Sequence, residues 1–287
     1  MTTMTVRRSE PPVWVGSLFD RIVCGVDGTE SSRVAVKQSA RLLCARRMLE
    51  LVSVVDLRPV VAPAGLPDPA DLERRYEEAK RALREGRTQC PRARSLLLSG
   101  DPATKIVSAA REAGATLVVA GAPPSGRLGG VVLGSVGTHL LHSAPCSVLI
   151  ARPSADEAAF PRSIVVGHDG SSGAAAAAAV AKELAHRFGA DLRIVVADAG
   201  DPVQIDVLAR EEKLAWSSLR PTEALTAASA DADLLVVGSR GLRGVRALGS
   251  VSERIGHLAR CSVLVVREPP EAAAADRDDD AVPDSEC

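Results

Sequence analysis

Residues 126–151 read GRLGGVVLGSVGTHLLHSAPCSVLIA, and residues 241–266 read GLRGVRALGSVSERIGHLARCSVLVV. Gly134-Ser135-Val136 aligns with Gly249-Ser250-Val251, and Cys146-Ser147-Val148-Leu149 with Cys261-Ser262-Val263-Leu264, both at a separation of 115 positions. Upstream, IVCGVDGTESS (22–32) matches IVVGHDGSSGA (164–174), which pairs Asp27 with Asp169. A duplication on this scale sets the architecture before propensities are weighed. It divides the chain into an arm (1–20), a first domain (21–152), a polar linker (153–161), a second domain (162–267) and an acidic tail (268–287) expected to be disordered. Within the arm, Trp14 and Phe19 are candidates for docking.

The 287 residues suffice for two domains, each with its own core. Hydrophobic residues make up 46% and aromatics only 2%, so the core must be Val, Leu, Ile and Ala. That composition suits a buried parallel sheet covered by Ala-rich helices. Short apolar runs at 22–26, 49–55, 94–98, 116–120 and 146–151 alternate with helical patterns at 31–47, 71–86, 102–113 and 135–142, which is the signature of βαβ units. The second half repeats this with a helix at 172–188, a strand at 192–197, a helix at 221–230, a strand at 234–237 and a last strand at 261–266. Its middle is shortened, and the pattern of residues 199–220 fits either one helix or a strand plus a turn. The expected fold is therefore α/β, two tandem doubly wound parallel sheets with strand order 3-2-1-4-5. The last strands would pair the halves as a pseudo-dimer and cover two sticky sheet edges.

The net charge is −1 and no basic stripe is present, which argues against nucleic acid as a partner. Residues 174–181 are too short to span a bilayer, and no signal peptide is visible, so a cytoplasmic protein without membrane attachment is expected. The six cysteines show no metal-type spacing, and Cys24, Cys146 and Cys261 fall in apolar runs as buried thiols. His142 and His257 correspond to each other and are expected at the surface of short helices. No Ser-His-Asp or Cys-His set is present. The absence of G-x4-G-K-[ST] excludes a P-loop ATPase, and the first strand is not followed by G-x-G-x-x-G. The chain is accordingly not expected to be an enzyme.

In doubly wound sheets, ligands bind beyond the carboxyl ends of strands where strand order reverses. Asp27 and Asp169 end the first strands, and Gly121 and Gly238 end the fourth. Each Asp and glycine loop would face one ligand from two sides, the glycines bringing backbone N–H groups and a helix N-terminus toward an anion. An Asp before Gly-Thr or Gly-Ser also suits helix capping, and the glycines also suit tight turns.

The I-V-x-G-x-D-G-[ST] start, the Gly loop, G-S-V and the closing C-S-V-L strand together resemble the universal stress protein family. The resemblance covers nearly all of 21–152 and 162–267. It implies a five-stranded α/β fold, a homodimer of tandem chains, a regulatory protein partner in a stress response, and ATP, with or without Mg2+, held by a G-x2-G-x9-G-[ST] loop. Carried over by position, the implied nucleotide contacts are Asp169, backbone Ala197, Gly238, Gly241, Gly249 and Ser250 in the second half. In the first half they are Asp27, backbone Val54, Gly121, Gly126, Gly134 and Ser135. The spacer of the second loop (242–248) is two residues short of the family's nine. The first loop carries Pro123-Pro124, and Pro lacks an N–H. The second half is thus the better match, with one ATP expected per chain, abolished by Gly241→Val or Gly249→Val and not by Gly126→Val. The alternatives are the same fold acting without nucleotide as a protein-interaction module, and a slow ATPase.

Overall fold

Apolar β-rich runs alternate with amphipathic helices along the chain, and the computed structural model assembles them around one continuous sheet. It describes residues 13–44, 47–58, 69–122, 133–197, 213–239 and 251–268. In the first half the elements are β1 (Arg21–Gly25), α1 (Glu30–Leu42), β2 (Met48–Val55), α2 (Pro69–Gln89), β3 (Arg94–Ser99), α3 (Pro102–Glu112), β4 (Leu117–Gly121), α4 (Ser135–Ser143) and β5 (Ser147–Ala151). The second half contributes β6 (Ser163–His168), α5 (Ser172–Phe188), β7 (Asp191–Ala197), β8 (Lys213–Ser217), α6 (Pro221–Ala228), β9 (Leu234–Gly238), α7 (Val251–Leu258) and β10 (Ser262–Val266). The ten strands run in the order β3-β2-β1-β4-β5-β10-β9-β6-β7-β8. Each half therefore has the expected 3-2-1-4-5 order, and the shortened middle of the second half keeps its third strand, β8. The fate of residues 198–212 lies outside the described residues.

Every pairing within a half is parallel, and β5 meets β10 antiparallel with Val148 opposite Val265 and Ile150 opposite Val263. All ten residues of β5 and β10 are buried. Burial of a large aliphatic side chain stabilises by about 1.5–3 kcal/mol, so this central pair is a strong joint between halves. Its ends are pinned by the repeat itself. Ser262 Oγ accepts the Arg152 N–H at 2.9 Å, and Ser147 Oγ accepts the Arg267 N–H at 2.9 Å. The Arg152 guanidinium donates to the Gly256 and Cys261 carbonyls beside the end of α7, and Arg267 donates to the Leu141 and Ala144 carbonyls beside the end of α4. Gly256 and Leu141 are again 115 positions apart, so each half clamps the helix C-terminus of the other. Carbonyls left over at helix ends favour cationic donors. Gln38, fully buried on α1, completes the joint by donating to the Arg152 carbonyl at 2.8 Å and accepting from Ser262 Oγ at 2.8 Å.

One expectation is met and another corrected. Trp14 and Phe19 dock as expected: residues 13–17 form a 3-10 helix, Phe19 is buried with Val15 and Leu18, and Trp14 packs against the same core. The apolar side chains of Trp14, Val15, Leu18 and Phe19 are worth more against the core than in water. Helix α1 stops at Leu42 rather than near 47, because Arg187 of α5 donates to the Leu42 and Leu43 carbonyls at 2.8 and 2.9 Å and so satisfies the helix end early.

Candidate functional site

The carboxyl end of β1 leads into Val26, Asp27, Gly28 and Thr29. Gly28 takes φ +79°, which folds the chain so that Asp27 Oδ1 accepts the Thr29 N–H at 3.0 Å and Thr29 Oγ1 at 2.6 Å. Thr29 Oγ1 in turn accepts the Ser32 N–H at 3.2 Å and caps α1. The second half repeats this closely. Gly170 has φ +83°, Asp169 Oδ1 accepts from Ser171 N–H and Oγ at 3.1 and 2.6 Å, and Ser171 caps α5 through the Ala174 N–H. Neither Asp is itself the helix cap. Each orients the cap and keeps its carboxylate at the strand end.

Beyond β1 and β4 a cavity of about 350 Å3 opens, lined by both polar and apolar groups. Asp27 and Thr29 border it on one side, Val52 and Val54 from β2 and Pro102 and Ile106 from α3 form an apolar wall, and Gly134 and Ser135 stand at the start of α4. The glycine of β1 creates part of this arrangement, since a Cβ on Gly25 would lie 2.9 Å from Ile106 Cδ1. Gly134 is the N-cap of α4 and offers no side-chain bond to the first-turn N–H groups. Uncapped helix N–H groups are anion donors. The cavity thus joins an apolar slot, a carboxylate and a positive helix end.

Of the residues implied by the resemblance, Asp27, Val54, Gly121, Gly134 and Ser135 line this one cavity. Gly126 lies outside the described residues. In the second half, Asp169 and Gly238 line a smaller cavity of about 70 Å3 with Gly167, Val195, Leu225 and Ser252. Ala197 ends β7, paired with Ser217 of β8, and Gly241, Gly249 and Ser250 lie outside the described residues. Gly121 and Gly238 have a packing reason to be glycine. A Cβ on Gly121 would fall 2.3 Å from the Ser31 carbonyl oxygen, and one on Gly238 would fall 2.1 Å from that of Gly173. The first turns of α1 and α5 rest directly on these strand ends.

A universal stress protein family model matches residues 18–152 and 198–267. The chain belongs to the universal stress protein family. A family member from Mycobacterium tuberculosis is 33% identical over 86% of this chain and 96% of its own length, and one from Mycolicibacterium smegmatis is 29% identical over the same shares. The crystal structure of a universal stress protein from Archaeoglobus fulgidus has a TM-score of 0.68 at 20% identity, covering 86% of this chain and 97% of its own. At that identity the likeness speaks for the fold.

Other side chains of this family member were read less well from sequence. His142 and His257 are half-buried and hydrogen-bonded across the halves rather than free at the surface. His142 lies between α4 and α7 with Nε2 3.3 Å from Glu253 Oε1, and His257 Nδ1 accepts the Leu133 N–H at 3.3 Å. The antiparallel β5–β10 joint brings these helices together across the halves. The signal available was their exact correspondence in the repeat. The thiols of Cys24, Cys146 and Cys261 are pushed up to about 12, chiefly by burial, so they are packing groups of low reactivity, although Cys146 is half-buried rather than fully buried as expected. Among the described residues no three His, Cys, Asp or Glu side chains converge as a metal site, and no helix is long and apolar enough to cross a membrane.

Proposed function

We propose that the protein binds an adenine nucleotide, ATP in the first instance, and acts as a regulator in a stress response through a protein partner rather than by turnover. The observation that carries this reading is the 350 Å3 cavity in which Asp27, Val54, Gly134 and Ser135 meet. Ligand pockets run from about 300 to 1,000 Å3, so the space is of nucleotide scale. The slot between Val52, Val54 and Ile106 suits a flat base. The Asp27 carboxylate is an acceptor for ribose hydroxyls, with Oδ1 already fixed by Thr29. The first-turn N–H groups of α4 and Ser135 suit phosphate oxygens, an interaction of about 0.3–1 kcal/mol when exposed and up to about 2 when partly buried. Mg2+, if it accompanies ATP, would be held by oxygens of the phosphates and water, as Mg2+ commonly is. Pairing of two tandem chains and a cytoplasmic location remain part of the same proposal.

Equilibrium dialysis of the full chain with labelled ATP tests it. Saturable binding at micromolar ATP, weakened at least tenfold by Asp27→Ala, is expected. No retained ATP at high micromolar concentration refutes the nucleotide reading and leaves the fold as a protein-interaction module. ATP turnover clearly faster in the unmodified chain than in the Asp27→Ala protein refutes the non-enzymatic part.

A further inference from the structure

We infer that the two halves have diverged in capacity: the first takes the nucleotide, and the second is too small for it, narrowed in part by Val237 and Ser252. The inference rests on the adenine-nucleotide reading and assigns it to one site. Strand register makes the described linings of the two cavities comparable; Gly249 and Ser250, the counterparts of Gly134 and Ser135, lie outside the described residues. Ala120 of β4 lies opposite Ile150, and Val237 of β9 lies opposite Val265; Ile150 and Val265 are equivalent in the repeat, so Ala120 and Val237 are too. Helix position does the same for Gly137 of α4 and Ser252 of α7, and both line their cavities. Pro102 and Ile106 of α3 likewise correspond to Pro221 and Leu225 of α6. The Cβ missing from Gly25 would meet Ile106, and the one missing from Gly167 would meet Leu225, each at 2.9 Å.

The second half therefore keeps the frame and changes the lining. A β-branched side chain replaces a methyl on the strand floor, and a hydroxymethyl replaces a hydrogen on the helix wall. Val237 is almost fully buried, so its bulk is spent inside and not toward solvent. The first cavity is about 350 Å3 and the second about 70 Å3, and the four heavy atoms added at Val237 and Ser252 account for part of that difference. About 70 Å3 is far below ligand-pocket size. The Asp169–Ser171 turn survives because it caps α5, whether or not a ligand is held. This runs against the sequence expectation that the second half is the competent one, which rested on Pro123-Pro124 in the first glycine loop.

Calorimetric titration of the full chain with ATP decides the matter. The expected result is one site per chain, lost in Asp27→Ala and retained in Asp169→Ala. Ala120→Val should weaken that site by about 10- to 200-fold, the range for one misfitting methylene-sized group. The paired change Val237→Ala with Ser252→Gly should create a second site. Should Ala120→Val not fold, the paired change in the second half still reads the claim. Two equivalent sites in the unmodified chain overturn the inference while upholding nucleotide binding. Loss of the single site on Asp169→Ala overturns it by placing ATP in the other half. A stoichiometry of one in the paired variant overturns the roles of Val237 and Ser252. No binding in any of these proteins overturns the nucleotide reading itself.

Discussion

Gly121→Ala separates two reasons for a glycine at the end of β4. If the residue were glycine only so that its N–H could approach a phosphate, alanine would harm ligand binding and leave the free protein intact. The structure gives the other reason. The added Cβ would lie 2.3 Å from the Ser31 carbonyl oxygen, 2.4 Å from its carbon and 2.8 Å from its Cβ. Two of these atoms are backbone, so no side chain can rotate away. Relief requires about 1 Å of movement between β4 and the first turn of α1, where Thr29 caps the helix. Overpacking of this kind costs about 1–3 kcal/mol, and backbone partners place it in the upper part of that range. At roughly 2–4 °C per kcal/mol for chains of this size, the ligand-free protein should lose about 4–12 °C in Tm. Gly16→Ala is the control, since a Cβ there meets nothing within 4 Å. Calorimetric unfolding without nucleotide is the assay. A ligand-free Gly121→Ala protein that melts within 1 °C of the unmodified chain refutes the packing argument.

Other outcomes follow from the same structure. Arg152→Met removes the donors to the Gly256 and Cys261 carbonyls and should destabilise by about 1–3 kcal/mol in urea titration; an unchanged midpoint would deny the clamp a role. Burial alone raises the Asp233 pKa, but bonds from Ser154 and from the Arg162 and Ser163 N–H groups outweigh it and hold the carboxyl below its ordinary 3.8. A depressed folded value stabilises fully above the unfolded pKa and fades as pH falls through the folded one. The Tm deficit of Asp233→Asn should therefore be largest near neutral pH and shrink below about 3.8, and a deficit constant from pH 7 to 3 would contradict this. With thiols near 12, Cys24, Cys146 and Cys261 are thiolate to roughly one part in ten thousand at pH 8, so iodoacetamide should spare them in the folded protein and modify them after denaturation. Labelling of these three at the rate of denatured protein would show that the strands they flank open readily.

The fold was legible where the repeat speaks twice. One apolar run closing both halves announces a strand whose edge wants cover, and the β5–β10 joint is that cover. The third strand of the second half was not legible, because KLAWS is five residues long and five residues do not distinguish a strand from a helical turn. The ends of α1 and the roles of Arg152, Arg267, His142 and His257 depend on contacts across the halves, which no local pattern encodes. The candidate site was legible as Asp27, Val54, Gly134 and Ser135, since a carboxylate at one strand end and an uncapped helix at the next are fixed by topology. The proposed difference between the halves lies at Ala120 and Val237, which the strand register and the cavity linings identify as equivalent positions. Pro123-Pro124 in the first glycine loop favours the second half instead, since a loop reading counts N–H donors and not the volume between the walls.

The most direct test is a crystal structure of the full chain grown with ATP. The account predicts density in the first half alone, its base against Val54 and Ile106, its ribose at Asp27 and its phosphates at the start of α4. An occupied second half beside an empty first, or a first cavity still empty at millimolar ATP, would contradict it.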